Sequence, residues 1–70
     1  MGEARAIAVE ELLAESDWVR RLARALVSDP DAAEDVAQQA LVAALERPPK
    51  ADRPLRPWLR VVVENFARMR

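Results

Sequence analysis

Prolines divide this chain into segments, and that division constrains its fold more than any other feature. Pro30 follows Asp29, and four further prolines lie between Pro48 and Pro57. Proline has no backbone N–H and clashes with the preceding helical turn, so residues 47–57 are predicted to form a stiff, non-helical connection. The stretches on either side are rich in alanine, leucine, glutamate and arginine, and the single glycine is at position 2. The sequence therefore predicts an all-α fold, a small bundle of three or four helices.

The N-terminal half is expected to contain one helical region with a break. Residues 1–6 are predicted to be a flexible tail, and residues 7–70 a single helical domain. Apolar spacing predicts helix from about Ile7 to Val27. The hydroxyl of Ser16 can cap a second segment within this region, so we expect an interruption near that residue.

The middle helix has two possible starts and one expected end. Asp29 can cap it, with Pro30 at the first helical position. Alternatively, Asp31 and Glu34 have the spacing of a capping box. In both cases the helix is predicted to run to about Glu46. One stripe is apolar and is expected to face the core: Ala33, Val36, Ala37, Ala40, Leu41, Ala44 and Leu45.

The last helix is predicted to start near Pro54 or Pro57 and to continue to the end of the sequence. Trp58 lies in its apolar stripe, so we favour a role as a core anchor over a base-stacking platform. The residues expected to face inward are Leu55, Trp58, Leu59, Val62, Val63 and Phe66. The residues expected on the outer side are Arg60, Glu64 and Arg68, with Asn65 beside them.

Charge is distributed unevenly along the chain. Residues 1–46 carry ten acidic and four basic side chains, a net charge of −6. Residues 47–70 carry seven basic and two acidic side chains, a net charge of +5. This asymmetry predicts two different partners, and the alternative is that both regions are ordinary solvated surfaces.

Composition excludes several classes of function. The chain has no cysteine and no histidine. A disulfide framework, a cysteine nucleophile, a histidine general base and a zinc site of the usual ligands are therefore excluded. No apolar run approaches the ~20 residues of a membrane span, and the N-terminus lacks a signal pattern. We expect a soluble, internal protein that is not an enzyme and has no catalytic residue, metal, cofactor, small-molecule substrate or membrane partner.

Two motifs together resemble a known family. The segment Asp-Ala-Ala-Glu-Asp-Val-Ala-Gln-Gln at residues 31–39 is followed nineteen residues later by Trp58-Leu59 and then by Asn65. This arrangement, from about Leu12 to Arg70, resembles region 2 of bacterial sigma factors of the extracytoplasmic-function (ECF) group. The resemblance implies a sigma-type helical bundle in the bacterial cytoplasm that docks on RNA polymerase and opens promoter DNA.

The resemblance assigns polymerase binding to the middle helix. Asp35, Gln38 and Gln39 by themselves form a hydrogen-bonding patch that suits a basic partner helix. In the family this segment binds the coiled coil of the β′ clamp, and Glu34 also matches the motif. Gln39 replaces the usual acid. The residues implied for polymerase binding are Glu34, Asp35, Gln38, Gln39, Leu41 and Leu45.

The resemblance implies that the last third of the chain binds the promoter −10 element as a non-template single strand. Cations spaced along a surface can bind phosphates, and an amide can read a base edge, for which Asn65 is the candidate. In the family, the loop before Trp58 receives a base flipped out of the −10 element. The residues expected to bind DNA are Lys50, Arg53, Leu55, Arg56, Arg60, Asn65, Arg68 and Arg70.

The match to the family has departures that leave other functions open. Glu64 stands where many members carry arginine, and the usual aspartate near Met69 is missing. The second sigma domain, which reads the −35 element, is absent, so we expect an excised domain of a longer protein. An anti-sigma factor is a further expected partner. The alternatives are a sigma-like adaptor or decoy that binds regulatory proteins without reading DNA, and an unrelated helical interaction module.

Overall fold

Four α-helices make up the part of the chain that the computed structural model describes, residues 8–69. They are α1 (Val9–Ala14), α2 (Ser16–Leu26), α3 (Pro30–Glu46) and α4 (Leu55–Arg68). This confirms the all-α prediction. The predicted tail at residues 1–6 lies outside the described residues. Within the described part, no helix is both long and apolar enough to cross a membrane.

The first helical region breaks at one residue, Glu15, between α1 and α2. Its backbone turns at φ −95°, ψ 5°, its N–H donates to the carbonyl of Leu12 at 3.0 Å, and its carbonyl accepts from Val19 at 2.9 Å. The expected interruption is therefore confirmed. The expected cap is wrong, because Ser16 is already the first residue of α2 and no side chain caps that helix.

A single side chain caps the start of α3. The Oδ2 of Asp29 accepts a hydrogen bond from the backbone N–H of Ala32 at 2.8 Å, with Pro30 at the first helical position. The alternative capping box is wrong: Asp31 already lies inside the first turn, and Glu34 is held by an arginine from α2. The N–H groups of a first helical turn have no acceptor within the helix. Pro30 contributes no such N–H, and Asp29 accepts from that of Ala32, so fewer unpaired donors remain at the start of α3.

Removing this cap gives a first testable prediction. Asp29→Ala is expected to lower the free energy of unfolding by about 1 kcal/mol, since an N–H of the first turn loses its acceptor. For a domain of this size that corresponds to a fall of about 4–8 °C in the melting temperature, measured by circular dichroism. Asp29→Asn keeps an acceptor and should melt near the wild type. A melting temperature unchanged in Asp29→Ala would contradict the role of the cap.

The core lies where α2, α3 and α4 pack on one another, and α1 packs on α2 and α3. Most of the expected stripe of α3 is buried, whereas Leu41 is half-buried and Leu45 is 41% exposed. Alanine brings the helix backbones close because it has no side chain beyond Cβ. The buried apolar residues are Leu12, Val19, Ala23, Ala33, Val36, Ala37, Ala40, Ala44, Leu59 and Val63.

The proline-rich connection is folded onto the body at one point. Pro49 is buried while its neighbours are exposed. Beyond it, the N–H of Arg53 donates to the carbonyl of Lys50 at 3.3 Å, which closes a turn. Helix α4 then begins directly after Pro54, so the earlier of its two predicted starts is confirmed. Pro57 lies in the first turn, where a missing N–H breaks no intrahelical bond.

Candidate functional site

The outer surface of α3 is acidic and polar. No lysine or arginine occurs from Ala25 to Glu46, so no cation of this helix reduces the negative potential. Val42 lies among the polar residues with 51% of its surface exposed. We call this surface the acidic face, and its exposed residues are Asp31, Asp35, Gln38, Gln39, Val42 and Glu46.

The six residues predicted to bind polymerase occupy two sides of α3. Asp35, Gln38 and Gln39 are exposed and point outward together. Glu34 is half-buried on the side toward α2, where its Oε2 accepts from the Nε of Arg20 at 3.3 Å. Leu41 packs against the core and Leu45 is partly exposed, as described above. The structure therefore brings together three of the six as an accessible patch.

A groove of about 500 Å³ runs along this patch and reaches α4. Phe66, expected only as a core residue, forms one of its walls. Val42 is four residues after Gln38 and three after Gln39, so all three share one side of the helix. This spacing was the sequence signal that could have placed Val42 in the groove. Sequence reasoning missed four of the lining residues, Val42, Ala43, Glu46 and Phe66; the others are Asp35, Gln38 and Gln39.

Cations begin where the acidic face ends. Arg47 follows Glu46 directly, and Lys50 and Arg53 are exposed on the turn that the backbone hydrogen bond closes. We call residues 47–54 the basic loop. Because Pro49 is buried and the turn is hydrogen-bonded, these cations project from an anchored segment rather than from a free tether.

Two of the arginines predicted to bind DNA are paired with carboxylates. The Nε of Arg56 donates to Oε1 of Glu15 at 2.9 Å, and its guanidinium lies over the ring of Trp18, 5.1 Å from the centroid. The Nε of Arg60 donates to Oε2 of Glu64 at 3.2 Å. The negative charge of Glu64 is therefore partly balanced by Arg60 in the preceding turn.

Asn65 lies on a different side of α4 from Arg60. Five residues of an α-helix turn by about 140° beyond a full rotation, so Asn65 shares its side with residues four before and four after it. These are Val61 and Met69, and all three are exposed. Arg68, also exposed, follows Asn65 by three residues, whereas Arg70 lies outside the described residues.

Asn65 is also far from the basic loop along the helix. At 1.5 Å per residue it lies about 15 Å from Leu55 at the start of α4. Leu55 and Trp58 are half-buried and pack against the core, which agrees with the favoured role of Trp58 as an anchor. The basic loop and Asn65 are therefore well separated along α4.

The described residues contain no group of three or more aspartate, glutamate, histidine or cysteine side chains that could hold a metal ion.

We found no match among curated proteins and none among solved structures. A family model described as Sigma-70 region 2 matches residues 12–70. Its members are domains of sigma factors, which bind RNA polymerase and recognise the promoter −10 element, and it is not a family of enzymes. Since the match spans most of the sequence, the chain belongs to the Sigma-70 region 2 family.

Proposed function

We propose that this domain acts in transcription initiation as region 2 of an ECF-type sigma factor. The acidic face docks on the coiled coil of the β′ clamp, and the basic loop and α4 hold the melted −10 element. The observation that carries this proposal is the sharp change of charge between Glu46 and Arg47, which gives one small body two electrostatically opposite surfaces. Such surfaces suit a basic protein partner and a polyanion.

The groove along α3 supports the polymerase contact. It has polar and acidic walls around an apolar centre at Val42 and Phe66, an arrangement found at interfaces with an apolar core and a polar rim. A helix with basic residues would place cations against Asp35 and Glu46 and hydrogen-bond to the two glutamines. Glu34 is already paired with Arg20, so we assign it a smaller share of the docking energy.

The basic loop supports the DNA contact. Lys50 and Arg53 are exposed and anchored, so they can bind successive phosphates at a low cost in conformational entropy. Asn65 can donate to and accept from a base edge, and its separation of about 15 Å from the start of α4 means that it meets a different nucleotide from the loop. Flipping a base costs a few kcal/mol, which these contacts and those of the polymerase must offset.

The pairing of Arg56 and Arg60 with carboxylates favours a second candidate function. With two fewer free cations, the domain could be a sigma-like adaptor that binds regulatory proteins and does not read DNA. The same exposed groove would suit an anti-sigma factor in either case. Binding to polymerase and promoter DNA would place the protein in the bacterial cytoplasm.

Binding of single-stranded oligonucleotides across a salt series separates these functions. The logarithm of the binding constant is expected to fall linearly with that of the salt concentration, and Lys50→Ala and Arg53→Ala should each reduce the slope by about 0.7. Fluorescence anisotropy, with the chain alone and with core polymerase, provides the measurement. Arg24→Ala, which removes an equal charge from the exposed side of α2, is the matched control and should leave the slope unchanged.

Base preference is tested in the same assay with a library that has a randomised window. Asn65→Ala should flatten the preference and leave the salt slope as in the wild type, since an amide carries no charge. If neither the chain nor its complex with polymerase binds any oligonucleotide, the adaptor function replaces the sigma function.

A further inference from the structure

One contact joins three separate parts of the fold. Glu15 lies at the break between α1 and α2, Trp18 in the first turn of α2, and Arg56 in the first turn of α4. The carboxylate of Glu15 accepts from the edge of the Arg56 guanidinium at 2.9 Å, and the indole of Trp18 lies against its face. The side chain of Glu15 is only 24% exposed. We call this set of interactions the Glu15–Arg56–Trp18 contact.

The contact secures a helix start that has no cap of its own. Pro54 occupies the cap position of α4, and no side chain accepts a hydrogen bond from the first turn there. Arg56 is the second residue of that helix, so holding its side chain holds the first turn. The basic loop is then fixed at two points, with Pro49 buried before Lys50 and Arg56 held shortly after Arg53.

We propose that Arg56 is a positioning residue that sets the geometry of the basic loop for nucleic-acid binding and does not itself contact a phosphate. This inference rests on the proposed function. The Nε edge of the guanidinium donates to Glu15 and one of its faces lies over Trp18, while 55% of the side chain stays exposed. A phosphate approaching Arg56 would meet the negative charge of Glu15 at the same group, which opposes binding. The exposed cations on the loop carry the phosphate contacts instead.

Glu15→Ala distinguishes a positioning role of Arg56 from a phosphate-binding role, because it changes the affinity for oligonucleotide in opposite directions in the two cases. If Arg56 positions the loop, Glu15→Ala and Arg56→Ala should each weaken binding of a single-stranded oligonucleotide by about two- to fivefold. The double variant should be no weaker than either single variant, and the salt slope should stay as in the wild type. Exchanging the pair, with Glu15→Arg and Arg56→Glu together, should recover part of the affinity because an ion pair is restored.

The opposite pattern would overturn the proposal. If Arg56 contacts a phosphate, Glu15→Ala frees it and strengthens binding, Arg56→Ala lowers the salt slope by about 0.7, and the exchanged pair stays defective. Arg24→Ala again controls for loss of one positive charge. Circular dichroism of each variant should show the helix content of the wild type.

Hydrogen exchange tests the contact without nucleic acid. The amide of Arg53, which donates to the carbonyl of Lys50, and the amides of Leu59 and Arg60, which close the first turn of α4, should exchange faster, and to the same extent, in Glu15→Ala and Arg56→Ala. Unchanged exchange in both variants would overturn the positioning role even if affinity falls. If the wild-type chain binds no oligonucleotide, alone or with polymerase, the proposed function is contradicted instead. The hydrogen-exchange result then tests the positioning role of Arg56 independently.

Discussion

Leu59→Ala is expected to lower the free energy of unfolding by about 2–5 kcal/mol, because it removes buried methyl groups and leaves a cavity. Leu59 is fully buried and is one of the two largest side chains in the core. Helix α3 packs on α4, and four of its buried residues are alanines, whose side chains are too short to fill a cavity. A domain of this length is stable by only about 3.5–10 kcal/mol, so much of the variant should be unfolded at moderate temperature.

Urea denaturation followed by circular dichroism measures this loss. Val61→Ala is the matched control, since Val61 lies two residues away on α4 and is 55% exposed. It should change the unfolding free energy by no more than about 0.5 kcal/mol. Equal losses in the two variants would contradict the orientation of α4 on the core.

Asp35→Arg is expected to weaken binding to core RNA polymerase by at least about tenfold, or 1.4 kcal/mol. Asp35 is exposed and lines the groove on the acidic face. A basic partner helix would lose an attractive charge and meet a repulsive one at the same point. Because the side chain is exposed, the domain itself should keep its stability, which melting temperature will show.

Asp52→Arg is the control for this charge reversal. It makes the same change of charge on the exposed basic loop, away from the groove. Polymerase binding, measured by surface capture of β′ and by a pull-down of core enzyme, should be close to the wild type in this variant. Wild-type affinity in Asp35→Arg would exclude the acidic face as the docking surface.

Local signals made much of the fold predictable. The bounds of α3 follow from Asp29 and Pro30 at one end and from the prolines after Glu46 at the other. Apolar spacing on α4 identified Leu59 and Val63, both of which are buried. These features depend on residues close in sequence, for which helix geometry gives the spatial arrangement directly. The prediction that Ser16 caps α2 was wrong because a serine near a helix break can be the first residue of the helix as well as the residue before it.

Contacts between helices were not predictable in the same way. Arg56 meets Glu15 across 41 residues, and Glu34 meets Arg20 across 14. The groove likewise depends on Phe66 of α4 approaching the amides of α3. Such contacts depend on the crossing angles and rotations of the packed helices, which a single sequence does not define.

The alanines that line α3 have a thermodynamic consequence. Each buries little apolar area, so unfolding exposes less hydrocarbon than in a core of leucine and phenylalanine. Both the enthalpy and the heat capacity of unfolding, the latter on the order of 1 kcal/mol/K for 70 residues, should lie at the low end for the length. A small enthalpy gives a broad melting transition. A ligand that binds only the native form should then raise the midpoint by several degrees, so calorimetry can report occupancy of either surface.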